Sequence, residues 1–186
     1  MSKDIAERVE AVFAPLRAAA DRGYIGEPVS QLEHALQAAA LGSRARAAEH
    51  EILAALLHDI GHLIAPDSAP QMDGLGVVDH EHLGAAFLGA LGVDASVCML
   101  VASHVTAKRY LALRKPGYYA ALSSASRGTL AFQGGPMSEA EADAFEADPQ
   151  FAAKLRLRAW DEAAKRTDVS VPTLDSYAAL LREHME

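Results

Sequence analysis

Cysteine, aromatic side chains and positive charge are all scarce in this sequence of 186 residues. The one cysteine, Cys98, has no partner for an internal disulfide bond. It lies in the apolar run Val97-Cys98-Met99-Leu100, which predicts a buried core residue rather than a nucleophile or a ligand. A formal net charge of −8, without any basic stripe, makes nucleic acid an unsuitable partner.

Long apolar runs are lacking as well. No stretch reaches the roughly 20 apolar residues that a membrane-spanning helix needs. At the amino terminus Lys3, Asp4, Glu7 and Arg8 stand where a signal peptide requires a continuous apolar segment. We therefore expect a cytoplasmic protein with no membrane partner.

Hydrophobic residues make up 51% of the sequence, but aromatic residues only 6%. A chain of this length can bury one sizeable core. Abundant alanine with few aromatics favours close-packed helices over strands. No internal repeat or low-complexity tract divides the chain. The sequence predicts an all-α helical bundle that forms a single domain over residues 1–186.

Helix starts and stops follow from local signals. Ser30-Gln31-Leu32-Glu33 and Ser138-Glu139-Ala140-Glu141 match the capping box, so a helix should begin at each. Asp94 and Asp148 are further candidate caps, and Gly61 is a candidate stop. Apolar spacing predicts helices over the following ranges: 4–20, 46–60, 78–91, from 94 to about 104, 118–126, a helix with Phe151, Leu155 and Ala159 inward, and a tail from Pro172. Residues 63–77 have no period and predict a long irregular segment.

A histidine next to an aspartate, His58-Asp59, ends the apolar helix 46–60. Imidazole nitrogens and carboxylate oxygens are both ligands of first-row metals, and the two oxygens of Asp59 can bridge two ions. A buried, hydrogen-bonded His-Asp pair is the ordinary alternative. His62 follows His58 by four residues and has either a substrate role or a place at a solvated helix end.

Further ligand candidates lie on other predicted helices. A lone histidine such as His34 is more often a satisfied core residue, and it becomes a plausible ligand only in company. Of His80 and His82, which point about 200° apart, His80 shares its face with apolar residues and is the one expected to turn inward. His104 lies near the end of the helix that Asp94 begins.

Two cations accompany these candidates. Lys108 follows His104 by one turn, where it either extends to solvent or holds an anionic substrate. Arg158 and Asp161, three residues apart beside Trp160, form either a surface ion pair or an anion clamp next to a buried ligand.

The order of His34, His58-Asp59 and the late Asp161 resembles the signature of the HD-domain superfamily. From about residue 20 to the end, the chain is similar to one branch of it, the mixed-valent di-iron oxygenases that cleave the carbon–phosphorus bond of 1-hydroxyphosphonates. The matching stretches are Tyr24-Ile25-Gly26-Glu27, Gln31-Leu32-Glu33-His34, Leu53-Ala54-Ala55-Leu56-Leu57-His58-Asp59, His104 to Lys108-Arg109-Tyr110-Leu111, Gln133-Gly134-Gly135-Pro136-Met137 and Arg158-Ala159-Trp160-Asp161.

The resemblance implies an HD-domain bundle with a dinuclear metal site and two iron ions, Fe(II) and Fe(III). It implies six ligands, with Asp59 as the bridge: His34, His58, Asp59, His80, His104 and Asp161. It further implies that Lys108, Arg158, His62 and Ser126 bind the phosphonate.

In the same way, the resemblance implies that Tyr24 covers a vacant iron position and that Glu27 receives the amino or ammonium group of the substrate. The partners are then a small organophosphonate and O2. Because residues 74–78 lack bulky aromatics, we expect room for a trimethylammonium head, which would give glycine betaine, in preference to a primary amine, which would give glycine. The oligomeric state stays open.

Two other functions remain compatible with the same residues. A metal-dependent HD phosphohydrolase would use a metal-bound hydroxide on a phosphate ester and would need no O2. A non-catalytic helical module would carry a degenerate metal site. The sequence chemistry by itself does not distinguish iron from manganese or zinc at such a site.

Overall fold

Helices form the regular structure of this protein in a computed structural model that describes residues 4–24 and 26–185. Within these ranges there are isolated β-bridges but no β-strand. The predicted all-α class is therefore confirmed. Ile25, part of one matching stretch, lies outside the described residues. The helices are α1 Ile5–Ala18, α2 Gln31–Arg44, α3 Glu49–Leu57, α4 Ile60–Ile64, α5 His80–Ala90, α6 Ala95–Arg114, α7 Tyr118–Ala121, α8 Ser124–Phe132, α9 Glu139–Glu146, α10 Phe151–Ala163, a 3-10 helix Leu174–Tyr177 and α11 Ala178–Glu183.

Both predicted capping boxes form. The Ser30 hydroxyl accepts the Glu33 N–H at 3.1 Å, and the Glu33 carboxylate accepts the Ser30 N–H at 2.7 Å. Ser138 and Glu141 make the same reciprocal pair at the start of α9. These bonds satisfy amide groups that the first turn of a helix leaves without partners. In α2 the box sets the helix start and so the direction in which His34 points.

The hydrophobic core surrounds α3. Leu53, Leu56 and Leu57 on this helix are at most 1% exposed, and α3 packs against α2, α6, α10 and α11. A smaller apolar cluster links α6 to α9 through Tyr110 and Phe145. Because α3 is held on several sides, the residues at its carboxyl end have a defined position in the middle of the bundle.

The predicted helix 46–60 is divided in two, and the prediction that Gly61 ends it is wrong. Helix α3 ends at Leu57, the chain turns at Asp59 (φ −98°, ψ 7°), and Gly61 lies inside α4. Gly61 serves close packing instead. A Cβ atom there would lie 1.9 Å from the carbonyl oxygen of His80, and one on Gly84 would lie 3.1 Å from the Gly61 nitrogen. Backbone contact between α4 and α5 brings Asp59 next to His80.

Helix α6 is longer than predicted. It runs for 20 residues, so His104 lies in its middle and Lys108 is buried one turn later on the same helix. Asp94 stands at the N-cap, but its carboxylate accepts no hydrogen bond from the helix. The half-buried Cys98 lies on this helix too, at the edge of the core rather than within it.

The inward face of α10 also differs from the prediction. Ala159 is exposed, whereas Leu157, Arg158 and Asp161 are buried. An apolar pattern cannot find this face, because its buried side chains include a charged pair. The N-cap of α10 is Gln150 rather than Asp148. The predicted helix 118–126 is likewise two helices, α7 and α8.

The predicted irregular segment is present between α4 and α5. Its chain folds back on itself through Met72 N–H to Gly76 carbonyl (2.8 Å) and Val78 N–H to Pro70 carbonyl (2.9 Å) bonds. Met72 is 1% exposed. Across residues 4–24 and 26–185, none of the helices has both the length and the apolar character that crossing a bilayer takes.

We expect Gly61→Ala to lower the thermal midpoint of unfolding, since the new methyl group meets a backbone carbonyl that cannot turn aside. Overpacking of this kind costs about 1–3 kcal/mol, and each kcal/mol moves the midpoint by about 2–4 °C in a chain of this size. Gly89→Ala on α5 is the matched control: its Cβ would have Cys98 Sγ at 3.9 Å as its nearest neighbour. An unchanged midpoint in Gly61→Ala would show that the two helices are not held in contact there.

Candidate metal centre and adjoining cavity

Four buried histidines turn one ring nitrogen each toward a common space. In every ring the Nδ1 atom faces a backbone carbonyl, which can only accept, so Nδ1 carries a proton and Nε2 is the atom that can bind either a second proton or a metal ion. The second ring nitrogen is therefore free to bind a cation. The Nδ1 to oxygen distances are 2.8 Å for His34 to Ala164, 2.9 Å for His58 to Ala55, 3.2 Å for His80 to Val77 and 2.8 Å for His104 to Val101.

The Nε2 atoms approach one another in two pairs. They are 3.1 Å apart in His34 and His58, and 3.0 Å apart in His80 and His104. Without a proton on either nitrogen, the two atoms of a pair cannot hydrogen-bond to each other. Ligands at right angles on a first-row ion, each about 2.1 Å from it, lie about 3 Å apart. Each pair thus has the separation expected of neighbouring ligands on one ion.

Two carboxylates complete these pairs. Asp161 Oδ1 lies 3.4 Å from His34 Nε2. Asp59 stands between the pairs: its Oδ2 is 3.3 Å from His58 Nε2, and its Oδ1 is 3.5 Å from the Nε2 atoms of both His80 and His104. Asp59 Oδ2 is buried and has no hydrogen-bond partner. An oxygen in that position needs a cation, so the donor set fits two metal ions bridged by Asp59.

The electrostatics of the donor set agree with this. Burial lowers the pKa of His58, but the carboxylates of Asp59 and Asp161 and the Ala55 carbonyl together raise it to about 9, so without a metal ion His58 holds a second proton. Burial acts to raise the pKa of Asp161, yet Arg158 holds it well below its usual range. Burial and then the charge of His80 lower the pKa of His104 well below its usual range. The carboxylates therefore remain ionised and attract a positive charge, either a proton or a metal.

A cavity of about 60 Å³ adjoins this cluster. One part of its wall is formed by the cluster itself, through Asp59, His80, His104 and Asp161. The rest comes from three cations, one carboxylate, neutral polar and apolar side chains, and two residues of the 65–79 loop. Those lining residues are Lys108, Arg158, Lys165, Tyr24, Glu27, Gln31, His62, Met72, Leu75, Val105, Ala125, Ser126, Thr129 and Gln133.

Lys108 reaches the cavity from α6. Its ammonium donates to Thr129 Oγ1 at 2.8 Å and more weakly to the Ser126 carbonyl at 3.5 Å. No carboxylate of the described residues forms a salt bridge with it. Burial and then the charge of Arg158 lower the pKa of Lys108 to about 7. An anion in the cavity would relieve both effects.

Arg158 is a second buried cation on the wall. Its Nη1 atom makes a close ion pair with Asp161 Oδ2, and its Nε donates to Tyr118 Oη at 3.0 Å and Glu162 Oε1 at 2.8 Å. The remaining nitrogen, Nη2, is buried without a partner. Arg158 thus orients a ligand candidate while keeping N–H groups available for an anion.

His62 lies against the cluster without joining it. Its ring stacks on His80 with centroids 3.8 Å apart, and its Nδ1 accepts the Val77 N–H at 3.1 Å. Burial and the charge of His80 lower its pKa to about 3. The neutral ring can orient a substrate by hydrogen bonding but does not add positive charge. Gly76 makes room for the ring, since a Cβ there would lie 2.6 Å from His62 Cε1.

Tyr24 and Glu27 lie on the loop before α2. The Tyr24 ring stacks on His34 with centroids 4.0 Å apart, and burial followed by the charge of Asp59 raises the pKa of Tyr24 well above its usual range. The Glu27 carboxylate is not vacant: Lys165 Nζ lies 2.6 Å from its Oε1. The group expected to receive a substrate ammonium already holds one from the chain itself.

All the metal-ligand candidates come together, and the candidate substrate-binding residues line the cavity beside them. His82, which was expected to face solvent, is exposed. Sequence reasoning missed Thr129, Tyr118, Glu162 and Lys165. Helical spacing carried a signal for two of these, because Glu162 follows Arg158 and Lys165 follows Asp161 by four residues. No sequence signal linked Thr129 or Tyr118 to the cluster.

Comparison with known proteins identifies the family to which this chain is similar. The sequence model of the HD domain matches residues 32–148. An uncharacterized protein of Acanthamoeba polyphaga mimivirus is 41% identical over 163 residues, covering 87% of this chain and 74% of that protein. The [1-hydroxy-2-(trimethylamino)ethyl]phosphonate dioxygenase (glycine-betaine-forming) of Leisingera caerulea is 37% identical, covering 89% and 84%. The hydroxymethylphosphonate dioxygenase of Gimesia maris is 39% identical, covering 95% and 88%.

We expect phosphate binding by the metal-free protein to weaken as pH rises from 6 to 9. The Lys108 ammonium, whose pKa is about 7 in the free protein, is charged at the lower end and neutral at the upper end. Loss of a charge-assisted hydrogen bond costs about 1.5–3 kcal/mol, or roughly 10- to 100-fold in the dissociation constant. Calorimetric titration with inorganic phosphate measures this.

Two variants isolate residue 108, since the ionisation of phosphate itself is common to all three proteins. Lys108→Arg should bind phosphate without the loss at high pH, and Lys108→Met should bind weakly throughout. A wild-type profile parallel to that of Lys108→Met would rule out this lysine as the pH-dependent group.

Proposed function

We propose that this chain, which belongs to the HD-domain family, is an oxygenase that uses O2 to cleave the carbon–phosphorus bond of a 1-hydroxyphosphonate. The observation that carries the proposal is the donor set bridged by Asp59, beside a cavity whose buried cations Lys108 and Arg158 still have N–H groups for an anion. The two related phosphonate dioxygenases, 37% and 39% identical over most of the chain, support the same reaction class.

The reaction balances without another reductant. A 1-hydroxyphosphonate R–CH(OH)–PO3H2 and one O2 give the acid R–COOH and phosphoric acid. C1 is oxidised, O2 is reduced, and the carbon–phosphorus bond breaks. On a trimethylammonio substrate the organic product is glycine betaine, and on 2-amino-1-hydroxyethylphosphonate it is glycine.

Two metal ions fit the donor set. One ion would be held by His34, His58 and Asp161, and the other by His80 and His104. Asp59 would contribute an oxygen to each ion. When bound, redox-active ions supply a place for O2 and for substrate oxygens, together with the electrons that the oxidation of C1 exchanges. Zinc has no redox chemistry, so we propose iron, as a Fe(II)/Fe(III) pair.

Side chains of the cavity supply binding and orientation. The Lys108 ammonium and Arg158 Nη2 would bind phosphonate oxygens, with Thr129 directing the ammonium. Ser126 lines the wall beside them. Because His62 Nδ1 accepts the Val77 N–H, the neutral ring carries its proton on Nε2, which can donate a hydrogen bond to an oxygen of the substrate.

Tyr24 is proposed to cover an open metal position until the substrate arrives. Its ring is stacked on His34, and its phenol stays protonated because its pKa is raised. The loop that carries it is anchored by the Tyr24 N–H to Val29 carbonyl bond at 2.8 Å and by the Glu27–Lys165 pair. Movement of the tyrosine is therefore a side-chain rotation in this proposal rather than opening of the whole loop.

The metal sites can be tested without turnover. We expect His80→Ala to lose at least one metal ion per chain after reconstitution with iron, since His80 is one of the three donors that would hold one ion, with His104 and Asp59. His50→Ala is the control, because His50 is a histidine that belongs to none of the groups of side chains that could hold a metal ion. Metal content by elemental analysis gives the answer, and equal contents in the two variants would contradict the ligand assignment.

Turnover tests the reaction itself. The iron-loaded protein should consume O2 and release phosphate in a ratio of about one to one with at least one member of a panel of 1-hydroxyphosphonates, and anaerobic samples should release none. An oxygen electrode and a phosphate assay measure the two quantities. Phosphate release from an ester under anaerobic conditions would instead establish the phosphohydrolase. Absence of metal binding would favour the non-catalytic module.

A further inference from the structure

We infer that Lys165 selects the substrate. By holding Glu27 it fills the position of a substrate ammonium group, so this chain takes 1-hydroxyphosphonates whose carbon chain bears no cation. The inference rests on the proposed function and narrows the substrate class. It starts from the Lys165–Glu27 pair, which no sequence pattern predicted.

The surroundings of the Lys165 ammonium are those that an alkylammonium ligand would need. Its Nζ lies 2.6 Å from Glu27 Oε1, 5.7 Å from the centroid of the Tyr24 ring and 3.5 Å from Ser123 Oγ. A carboxylate with an aromatic face is a common arrangement for binding ammonium groups. The side chains of Lys165 and Glu27 are only 17% and 10% exposed, so the pair is weakly screened by solvent.

The charges of the cavity leave no place for a second cation. Three carboxylates line it among the described residues, and each is engaged: Asp59 and Asp161 with the imidazole cluster, Glu27 with Lys165. A substrate ammonium would have to displace Lys165 from a short ion pair or lie beside it with a like charge. Both raise the free energy of binding.

The lining of the cavity points the same way. The cavity volume is about 60 Å³. Residues 74–78, which were expected to leave room for a bulky head group, contribute Leu75 to its wall. Leu75 and Met72 line the cavity, and Leu75 Cδ1 lies 2.5 Å from where a Cβ on Gly128 would be.

A larger cavity of about 450 Å³ lies on the other side of Lys165, which lines both spaces together with Ser126. Tyr118, Ser123 and Glu162 form part of its wall. Shortening Lys165 would free the Glu27 carboxylate and remove a side chain from between the two spaces. The lysine therefore controls both charge and length of the ligand.

The experiment measures dissociation constants of the iron-loaded protein under anaerobic conditions, so it does not depend on turnover. The ligands are hydroxymethylphosphonate, 1-hydroxyethylphosphonate, 2-amino-1-hydroxyethylphosphonate and its trimethylammonio analogue. Wild type should bind the first two more tightly than the last two. The ratio should be roughly tenfold or more, as expected for an unpaired like charge. Tighter binding of the cationic ligands by wild type would overturn the inference.

Variants separate selection from a structural role. Lys165→Ala should change that ratio by roughly tenfold or more in favour of the cationic ligands, and Lys165→Arg should keep the wild-type preference. Lys154→Ala is the control: it removes another ion-paired lysine, 2.6 Å from Asp148, that does not line the cavity. If Lys165 only anchors the Tyr24 loop, Lys165→Ala would weaken all four ligands equally, and the inference would fail.

Oxygen consumption with the same compounds then tests the proposed reaction separately from the proposed role of Lys165. If no 1-hydroxyphosphonate is oxidised while the binding preference holds, the proposed reaction is wrong. Lys165 would still select phosphonates whose carbon chain bears no cation. If oxidation occurs but the amino compound is preferred, the reaction stands and the role of Lys165 does not.

Discussion

The carboxylate of Asp59, placed between two pairs of imidazole nitrogens, is the interaction on which the centre depends. One of its oxygens faces His34 and His58, and the other faces His80 and His104. Buried lone pairs arranged in this way repel one another unless positive charge lies between them. The cost of assembling such a cluster in a core is offset by whatever cation it binds, so the fold and the metal site are energetically coupled.

The packing of the bundle serves this geometry. Helix α3 is packed against several other helices and positions His58 at its carboxyl end, while the turn at Asp59 sets the direction of the carboxylate. Contact between the backbones of α4 and α5 at Gly61 and Gly84 then brings His80 within reach. Backbone contact without intervening side chains is rigid, because neither partner can adjust by changing rotamer. The bridging position of Asp59 is thus defined by the main chain.

The three cations of the cavity differ in how far nearby carboxylates neutralise their charge. Arg158 is partly neutralised by Asp161, Lys165 is neutralised by Glu27, and Lys108 has only the neutral Thr129. Positive charge is therefore concentrated at the Lys108 and Arg158 Nη2 positions, next to the proposed metal ions. In the proposed binding mode a dianionic head group is attracted there, and the opposite end of the ligand lies next to the Lys165–Glu27 pair.

The amino-acid sequence by itself determined the helical class, the capping boxes that begin α2 and α9, and the candidate donors from His34 to Asp161, because these depend on local spacing and residue type. Tertiary structure decided what depends on contacts distant in sequence. Gly61 has the appearance of a helix stop, but the approach of α5 makes it a packing residue. Glu27 has the appearance of a vacant acceptor, but Lys165, 138 positions later, fills it. A local sequence pattern does not indicate which side chain from a distant part of the chain will lie next to a given residue.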